Sequence, residues 1–478
     1  MNKFYITTAI PYVNAKPHIG HALEFVQSDV IARYHRLIRD ETLLLCGGDE
    51  NALKNVQAAE KAKRPIQEFV DENTKSFYTL SKKLNVKFDI WQKGSDPKHH
   101  SSSQKLWELC FAKGDIYKKR YKGLYCVGCE LFYTESELDK NGECFEHPGK
   151  KLEEVSEENY FFKLSKYQSQ LEKILSSGEL EIVPTFRKNE MLEFLKRGLL
   201  DISISRSNER AKNWGVPVPK DSTQRLYVWF DALNIYQSGI GFGSAKQNDI
   251  EEYNKWWPAD LHVIGKGILR FHAIYWPAFL LSAGLKLPKK IFVHEYITVN
   301  NQKMSKSIGN VIDPIPLIEK YGADALRYYF LAKISPFSDG DFTESKLKEV
   351  YNSDLANGLG NLVARLAGLA KDLRLEAQSD NLKHEIGRKV QKHIENYQFN
   401  MALEEIWDQI RKINVLINTE EVWKLSNQDR KTVIESLIKP INQIATNLKP
   451  FLPETAEKIE NQFRGPKITS QKPLFPRI

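Results

Sequence analysis

Long hydrophobic runs are missing from this sequence of 478 residues. No stretch reaches the ~18 uncharged apolar residues that a membrane-spanning helix needs. The amino terminus, MNKFYITTAIPY, carries one lysine before a strand-like run, and it lacks the apolar region and the cleavage site of a secretory signal peptide. These absences predict a cytoplasmic protein that does not span a membrane.

Cysteine and net charge are also scarce. The chain has 5 cysteines, of which three fall within Cys126 to Cys144 while Cys46 and Cys110 stand apart. In a cytoplasmic chain, a cluster of this kind indicates a metal site before a disulfide. The 69 basic and 61 acidic side chains leave a net charge of +8, which permits a polyanionic partner but does not identify one.

A strand, a polar turn and a helix open the chain. Lys3 to Ile10 is rich in β-branched and aromatic residues, and a helical pattern of apolar residues follows from about Gly20 to Leu37. The turn between them holds His18 and His21, which are three residues apart and can face one ligand. In a parallel α/β sheet, the free N–H groups and the positive helix end at such a turn favour phosphate. Alternatively, the two histidines only cap the helix at the protein surface.

A second polar motif lies far downstream, at Lys303 to Ser307, KMSKS. It follows Ile291 to Val299, which is predicted as the last parallel strand, and taken alone it is typical of a solvated basic loop. Together with Pro11 to Glu24, PYVNAKPHIGHALE, it resembles the signature of class I aminoacyl-tRNA synthetases. The residues around both motifs resemble the methionyl-tRNA synthetase family most, and the similarity extends over nearly the whole chain.

The resemblance implies a reaction in two steps. The carboxylate of methionine attacks the α-phosphate of ATP, and the methionyl group of the adenylate then passes to the terminal ribose hydroxyl of a tRNA. Neither step needs a protein nucleophile, so catalysis depends on alignment and on stabilising the charge that builds on the phosphates, with Mg²⁺ accompanying ATP. The residues implied in catalysis and ATP binding are His18, Gly20, His21, Glu24, Gly265, Lys303 and Lys306.

A second strand, predicted over Glu41 to Cys46, is followed by Asp49. The resemblance implies that the Asp49 carboxylate holds the ammonium group of methionine through a charge-assisted contact. Alternatively, Asp49 caps a helix that starts near Asn51. The family has Asp-Glu-His-Gly here, whereas this chain has Asn51 and Ala52 in place of the histidine and the glycine. A role is therefore carried over from the family only for Asp49.

Aromatic residues are common in and after Arg225 to Phe230, where the sheet is predicted to resume. Most sequences would use them in the core, but the resemblance places several around the methionine side chain, whose thioether gains ~0.3–1.5 kcal/mol per ring contact. The residues implied in this pocket are Ile10, Tyr12, Trp229, Tyr236 and His272. The family also has a ribose-binding aspartate where this chain has Gly267, and its absence leaves that contact unassigned.

A cysteine and histidine cluster lies within the predicted insertion, with the spacing C-x2-C-x14-C-x2-H. Its residues are Cys126, Cys129, Cys144 and His147. Two close pairs can bring three thiolates and an imidazole into a tetrahedron, and four protein ligands leave no position for a catalytic water. The spacing therefore predicts one structural Zn²⁺, the alternative being buried thiols and a surface histidine. The region leaves little room for the editing domain of the isoleucine, valine and leucine enzymes.

The pattern becomes wholly helical from about Glu344 to Leu452, which predicts an antiparallel bundle. The resemblance identifies this part as an anticodon-binding domain. The residues implied in contacting the anticodon are Asn361, Arg365 and Trp423, and Arg365 lies one helical turn after Asn361. Trp423 could alternatively belong to the core of the bundle.

Together these patterns predict an α/β protein with a Rossmann-like, doubly wound parallel sheet, an inserted zinc knuckle and a carboxy-terminal helical bundle. The predicted parts are 1–114 and 226–298 for the nucleotide-binding domain, 115–225 for the insertion, 299–345 for the KMSKS and stem-contact region, and 346–478 for the anticodon-binding helices.

We expect a monomer, because the appended dimerisation domain of some relatives is not found in this sequence. Two other functions stay open: a class I synthetase for another apolar amino acid, and a tRNA-binding protein that descends from a synthetase without its activity.

Overall fold

Strands and helices alternate along most of the chain. The computed structural model describes residues 2–126, 131–133, 138–144, 149–304, 309–373, 375, 385–464 and 467–478. The strands are β1 (Lys3–Thr8), β2 (Glu41–Gly48), β3 (Ile90–Lys93), β4 (Ile116–Cys126), β5 (Leu131–Tyr133), β6 (Glu153–Phe162), β7 (Glu181–Val183), β8 (Ile202–Ser203), β9 (Ser205–Ser207), β10 (Pro217–Val218), β11 (Asp221–Leu226), β12 (Leu261–Gly265), β13 (Lys290–His294), β14 (Ile297–Val299), β15 (Gln302–Lys303) and β16 (Gly340–Phe342).

The helices connect these strands and then continue alone to the end of the chain. They are α1 (Ile19–Leu37), α2 (Leu53–Lys61), α3 (Ile66–Lys83), α4 (Pro97–Ala112), α5 (Gln168–Ser177), α6 (Thr185–Lys196), α7 (Asn208–Ala211), α8 (Val228–Ala232), α9 (Ile235–Ser238), α10 (Gln247–Trp256), α11 (Trp276–Ala283), α12 (Pro314–Tyr321), α13 (Ala323–Ala332), α14 (Glu344–Val350), α15 (Asn361–Ala370), α16 (Arg388–Glu395), α17 (Phe399–Thr419), α18 (Asn427–Leu448) and α19 (Pro453–Phe463). Residues 271–275 and 351–360 form π-helical turns, and residues 164–167, 266–268 and 422–424 form 3₁₀ turns.

A parallel sheet with the strand order β3-β2-β1-β12-β13-β7 lies at the centre of the described residues. Strand β1 pairs with β2 on one side and with β12 on the other, both in parallel. The chain therefore builds the sheet outward from β1 in both directions, and the strand order reverses between β1 and β12. This is the doubly wound arrangement, and it confirms the predicted fold class; a ligand in such a fold binds in the crevice where the order reverses.

Apolar side chains pack on both faces of the sheet. On one face, a cluster that includes Val26 and Val30 of α1 continues through Leu326 of α13 into the helices after residue 344. On the other face, a second cluster includes Phe230 of α8 and Phe279 of α11. The predicted helical bundle is confirmed by α14 to α19, and the shared cluster fixes it against the sheet. Among the described residues, no helix has the length and apolar composition to cross a membrane.

The predicted strand over Arg225 to Phe230 is wrong in its second half. Strand β11 ends at Leu226 and belongs to a small antiparallel sheet with β9 and β10, while Val228 begins the short helix α8. Residues 228 to 230 are all buried, so no periodicity distinguished strand from helix in the sequence.

The predicted strand over Ile291 to Val299 is in fact two strands in different sheets. Strand β13 lies in the central sheet, whereas β14 pairs with β15 and β16. The chain breaks between them at Glu295 and Tyr296, where the Tyr296 amide donates to Asp339 Oδ1 at 2.9 Å instead of continuing the ladder. This break turns both residues towards the carboxyl ends of the parallel strands.

The region from 115 to 225 is mostly antiparallel, with the long ribbon β4–β6 as its main feature. It also contributes β7, which pairs in parallel with β13 at the edge of the central sheet. The sheet therefore includes a strand from the predicted insertion, and the domain limits given above stay predictions.

Candidate active site

A cavity of about 390 Å³ opens at the point where the strand order reverses. Its walls come from the segments that follow β1, β12 and β13, from the start of α1, and from the β15 hairpin. Nine of the residues predicted from the sequence line it: Ile10, Tyr12, His18, Gly20, His21, Glu24, Trp229, Gly265 and Lys303. Asp49, Tyr236 and His272 are not among its lining residues.

His18 and His21 form a reciprocal cap on α1. The Gly20 amide donates to His18 Nδ1 at 3.1 Å, and the His18 amide donates to His21 Nδ1 at 3.2 Å. A ring nitrogen that accepts a hydrogen bond carries no proton, so the N–H of each imidazole is on Nε2. The rings lie 3.9 Å apart, centroid to centroid. The alternative that the two histidines cap the helix is thus correct. It does not exclude that they bind phosphate, because capping uses Nδ1 and both residues line the cavity.

Gly20 is the point where the two sequence motifs meet. A Cβ atom at this position would lie 2.9 Å from His18 Cε1 and 3.5 Å from Met304 Cε. At the first distance a side chain at position 20 would displace the His18 ring, which caps α1, so glycine preserves the cap. The second shows that Met304, within KMSKS, lies over the start of α1.

Lys303 is brought to the cavity by a tight hairpin. Asn300 and Asn301 have φ values of 52° and 60°, as a two-residue turn between right-twisted strands requires. Asp341 holds this turn, accepting from the Asn301 amide at 2.7 Å and from Thr298 Oγ1 at 2.9 Å. The Lys303 ammonium lies 5.2 Å from the centre of the Tyr296 ring. Lys306 lies outside the described residues.

Glu24 has a partner that the sequence analysis missed. His294 Nε2 and Glu24 Oε2 lie 3.0 Å apart, and both residues line the cavity. Burial raises the pKa of the Glu24 carboxyl, and the hydrogen bond from His294 opposes the rise. His294 is the last residue of β13, so its polar side chain at the carboxyl end of a parallel strand was a signal in the sequence, the same one that selected Asp49.

Aromatic side chains form the apolar end of the cavity. Trp229 stacks on Phe271, with 3.7 Å between ring centroids and 4° between planes, and its ring meets Tyr12 edge-on. His272 is buried in the π-helical turn behind Trp229. Tyr12 and Trp229 lie at the cavity wall, and Tyr236 and His272 lie one layer behind, so the role of these residues in methionine binding stays a prediction.

The buried pair Tyr236 and His272 satisfies its own polar atoms. His272 Nδ1 lies 2.9 Å from the Ile268 carbonyl, which can only accept, and His272 Nε2 lies 2.8 Å from the Tyr236 hydroxyl. The imidazole therefore donates from Nδ1 and accepts the tyrosine hydrogen at Nε2. Burial lowers the pKa of His272 to about 4, so the ring is neutral at neutral pH. The layer behind Trp229 carries no charge and suits an apolar ligand.

Asp49 is buried directly beyond β2, beside the loop that carries Tyr12. Its amide donates to the Pro11 carbonyl at 2.9 Å, and its own carbonyl accepts from Asn55 Nδ2 at 2.8 Å. The alternative role of Asp49 as a helix cap is wrong, because α2 begins at Leu53 and Ala52 precedes it without a side-chain hydrogen bond.

Asn51, which departs from the family pattern, has a structural role. Its Nδ2 atom donates to the Gly94 carbonyl at 2.8 Å and to Asp231 Oδ2 at 2.7 Å. Asp231 is also paired with His99 Nε2, at 2.9 Å, within the core. Burial would raise the pKa of the Asp231 carboxyl, but His99 holds it below its ordinary value.

Two of the four predicted zinc ligands are described. The Cys126 and Cys144 sulfurs lie 3.2 Å apart and both side chains are buried, whereas Cys129 and His147 lie outside the described residues. That distance is longer than the ~2.05 Å of a disulfide bond, so the two sulfurs are neighbours but are not bonded to each other. Within the residues that can be described, no group of three or more metal-binding side chains occurs.

The three predicted anticodon residues lie on one exposed face of the helical bundle. The Arg365 guanidinium lies 5.8 Å from the centre of the Trp423 ring and donates to Asn418 Oδ1 at 2.8 Å. Asn361 is exposed one turn earlier on α15. The core alternative for Trp423 is wrong, since 48% of its surface is exposed.

Comparisons with known proteins agree with this arrangement. A family described as class I tRNA synthetases (M) matches residues 4–367, and a family described as the anticodon-binding domain of tRNA ligase matches residues 381–477. A methionine–tRNA ligase from Thermotoga maritima is 42% identical, covering 96% of this chain and 74% of that protein. The methionine–tRNA ligase of Brucella suis is 36% identical, covering 99% and 98%.

The solved structures give the same result. Methionyl-tRNA synthetase from Mycobacterium tuberculosis, in complex with methionyl-adenylate, superposes with a TM-score of 0.91 at 35% identity, covering 100% of both chains. Its apo form superposes with a TM-score of 0.83. The sequence motifs, the doubly wound sheet and relatives matched along nearly their whole length together show that this chain belongs to the class I methionyl-tRNA synthetases.

Proposed function

We propose that this protein ligates L-methionine to tRNA(Met) at the expense of ATP. Methionine and ATP first form methionyl-adenylate and pyrophosphate, and the methionyl group then moves to the terminal ribose of the tRNA with release of AMP. The observation that carries the proposal is the meeting of the two motifs over one cavity: His18 and His21 lie on one side, and Lys303 reaches it from the hairpin on the other.

The groups around the cavity suit an in-line displacement at phosphorus. In the first step, a carboxylate oxygen of methionine bonds to the α-phosphorus while the bond to the leaving pyrophosphate breaks. His18 and His21 present N–H donors at the positive end of α1, where phosphate oxygens are favoured. Lys303, and Lys306 by resemblance, would stabilise the charge that develops on pyrophosphate, with Mg²⁺ bound to ATP.

The opposite end of the cavity suits the methionine side chain. Ile10, Tyr12 and Trp229 supply an apolar wall, and neutral His272 with Tyr236 supports it from behind. Asp49, buried beside the Tyr12 loop, would pair with the ammonium group of methionine. Because ATP and uncharged tRNA are substrates of the cytoplasm, we place the enzyme there.

Amino-acid-dependent exchange of pyrophosphate into ATP tests this function. We expect exchange with methionine and none with isoleucine, valine or leucine. Exchange that prefers one of these other amino acids would favour a synthetase of different specificity. A purified protein that binds tRNA but shows no exchange with any amino acid would instead favour the non-catalytic alternative.

The exposed face formed by Asn361, Arg365 and Trp423 is proposed to bind the anticodon. Single-stranded bases stack on exposed aromatic rings and on guanidinium planes, and an indole beside an arginine offers both. The face lies on α15 and on the turn before α18, and none of its three residues lines the cavity. Binding there would therefore contribute to tRNA selection and not to activation of methionine.

Replacement of Trp423 or Arg365 by alanine should separate the two steps. We expect the rate of tRNA charging at limiting tRNA to fall about tenfold or more, because one base-stacking contact contributes ~1–3 kcal/mol. Exchange of pyrophosphate should stay at the wild-type rate. Phe111→Ala removes an equally exposed ring from α4 and serves as the control. Equal losses in charging and in exchange would assign these residues to the stability of the fold.

We further propose one structural Zn²⁺ per chain, held by Cys126, Cys129, Cys144 and His147. Support comes from the C-x2-C-x14-C-x2-H spacing and from the buried pair of sulfurs 3.2 Å apart. When bound, the metal would tie together the turns beyond β4. Such a site is closed to substrate, so its contribution is to the shape of the insertion.

Metal analysis of the purified protein tests the zinc site. We expect one zinc per chain in the wild type and none in Cys144→Ala. Cys110→Ala, which removes a buried cysteine from α4, should keep the metal and is the matched control. Wild-type protein without metal, at full activity and unchanged melting temperature, would show that the cluster is not a site. The domain limits and the monomeric state stay predictions.

A further inference from the structure

A lysine ammonium group lies against the aromatic wall at the apolar end of the cavity. Lys54 Nζ, from the first turn of α2, is 3.2 Å from the centre of the Tyr12 ring. At that distance the nitrogen lies over the ring face, because an approach in the ring plane would overlap the ring hydrogens. Tyr12 lines the cavity and Lys54 does not, so the half-buried lysine contacts the wall and not the cavity itself.

The position of Lys54 is unfavourable for the helix that carries it. Lys54 is the second residue of α2, whose first turn contains no acidic side chain and whose N-cap residue, Ala52, makes no side-chain hydrogen bond. A cation at the amino-terminal end of a helix is repelled by the helix dipole. Helix stability therefore does not explain a lysine here, whereas the attraction of an ammonium group to the negative face of an aromatic ring compensates for the repulsion.

Two contacts from different elements fix the orientation of the Tyr12 ring. Lys54 covers one face, and the plane of Trp229, from α8, stands at 86° to the tyrosine ring with 6.2 Å between centroids. A ligand in the cavity therefore meets the edge or the remaining face of a ring that is already held. Such preorganisation lowers the entropy that binding costs.

The cation over one face changes what the rest of the ring attracts. An aromatic ring has a negative face and a positive edge. The charge of Lys54 makes the edge of the Tyr12 ring more positive and its opposite face less negative. Both changes favour the electron-rich lone pairs of a thioether sulfur over the hydrogens of a methylene group, which carry a slight positive charge.

We propose that Lys54 is a specificity-determining residue, which acts through Tyr12 to favour a thioether over a hydrocarbon of the same size. The inference rests on the proposed function, since it assumes that the methionine side chain contacts Tyr12. Packing alone distinguishes weakly between side chains of similar size and shape, such as methionine and norleucine, in which a methylene group replaces the sulfur. The charge over the ring supplies a difference that packing does not.

Pyrophosphate exchange with methionine and with norleucine tests the proposal. The quantity measured is the ratio of kcat/KM for methionine to kcat/KM for norleucine. Lys54→Met removes the charge and keeps an unbranched side chain, and we expect it to lower this ratio about three- to fivefold, the size of effect that ring–sulfur contacts have. Lys54→Gln, which is polar but uncharged, should give the same fall. Lys54→Arg keeps a cation that binds ring faces and should stay within about 1.5-fold of the wild-type ratio.

A double substitution separates an effect through the ring from a direct effect of the charge. In Tyr12→Leu the cation has no ring to act on, so adding Lys54→Met should not change the ratio further. A charge that acted directly on the ammonium or carboxylate group of the amino acid would change both substrates alike and leave the ratio unaltered. Lys82→Met is the matched control, because Lys82 Nζ lies 4.9 Å from the centre of the Tyr78 ring on α3 and neither residue lines the cavity.

The outcomes that contradict the inference differ from failure of the proposed function. An unchanged ratio in Lys54→Met and Lys54→Gln overturns it, as does an equal fall in Lys82→Met or a further fall when Lys54→Met is added to Tyr12→Leu. If Lys54→Arg lowers the ratio as much as the neutral variants do, the side chain acts by packing and not by charge. Absence of methionine-dependent exchange in the wild type would instead contradict the proposed function itself.

Discussion

Replacing His18 by asparagine is expected to lower kcat for methionine-dependent pyrophosphate exchange about 100-fold, the loss that follows removal of one preorganised donor to a developing negative charge. His18 caps α1 through Nδ1, and asparagine is among the best residues for that position. The substitution therefore keeps the helix start and removes the Nε2–H donor. The KM for methionine should stay within about twofold, because the amino acid occupies the other end of the cavity. Steady-state exchange assays measure both quantities.

The matched control is His393→Asn. His393 lies on α16 of the helical bundle, where its Nδ1 is 2.9 Å from Gln398 Oε1 and no catalytic role is proposed. This variant should exchange pyrophosphate at the wild-type rate. If His18→Asn also does so, the histidines of the turn only cap the helix. If the melting temperature of His18→Asn falls by more than a few degrees, the activity is lost because the cap of α1 is lost and not because the Nε2–H donor is removed.

Replacing Arg327 by methionine should lower the free energy of unfolding by about 3–5 kcal/mol, as for other buried ion pairs broken from one side. Arg327 of α13 is fully buried, and its guanidinium lies 2.8 Å from Asp29 of α1, which is also fully buried. It also donates to the carbonyls of Leu84, Pro450 and Phe451, at 2.7 to 3.2 Å. The substitution leaves these acceptors without a donor. Urea unfolding followed by circular dichroism measures the loss.

An exposed ion pair provides the control for Arg327. Lys83 and Glu319 are 2.6 Å apart with side chains 37% and 61% exposed, so Lys83→Met should cost no more than about 1 kcal/mol. A cost for Arg327→Met equally small would mean that water replaces the lost hydrogen bonds. Because Arg327 joins α1 to the turn between α18 and α19, a large cost would also show that the helical bundle and the nucleotide-binding sheet stabilise each other.

Part of the active site was predictable because it is local in sequence. The strand before His18, the capped turn and the helix after it lie within about thirty-five residues, and hydrophobic period and capping chemistry are short-range properties. The same reason explains the correct prediction of the helical bundle and the placement of Asn361 and Arg365 one turn apart on one helix. The parallel sheet followed from the alternation of strands and helices.

Apart from His294, the errors and omissions concern positions where distant packing overrides the local pattern. Val228 to Ala232 folds as a helix because its aromatic and aliphatic side chains are buried on every side. The break at Glu295 depends on Asp339, far along the chain, which takes the Tyr296 amide from the strand ladder. Glu295 gained its place on the cavity wall through that break, so neither periodicity nor motif spacing signalled it.

The sequence by itself determined the capped histidine turn and the metal-binding spacing, because each depends on residues close together in the chain. It also determined the fold class and the family resemblance, through the order of the elements and motifs along the chain. Only the tertiary structure decided that Met304 lies over Gly20 and that His294 pairs with Glu24. It also decided that Trp423 is exposed and that Arg187 and Lys266 hold the Glu295 carboxylate at the cavity. These contacts join segments that are distant in sequence, and they form only when the buried apolar surfaces of the sheet and helices bring the segments together.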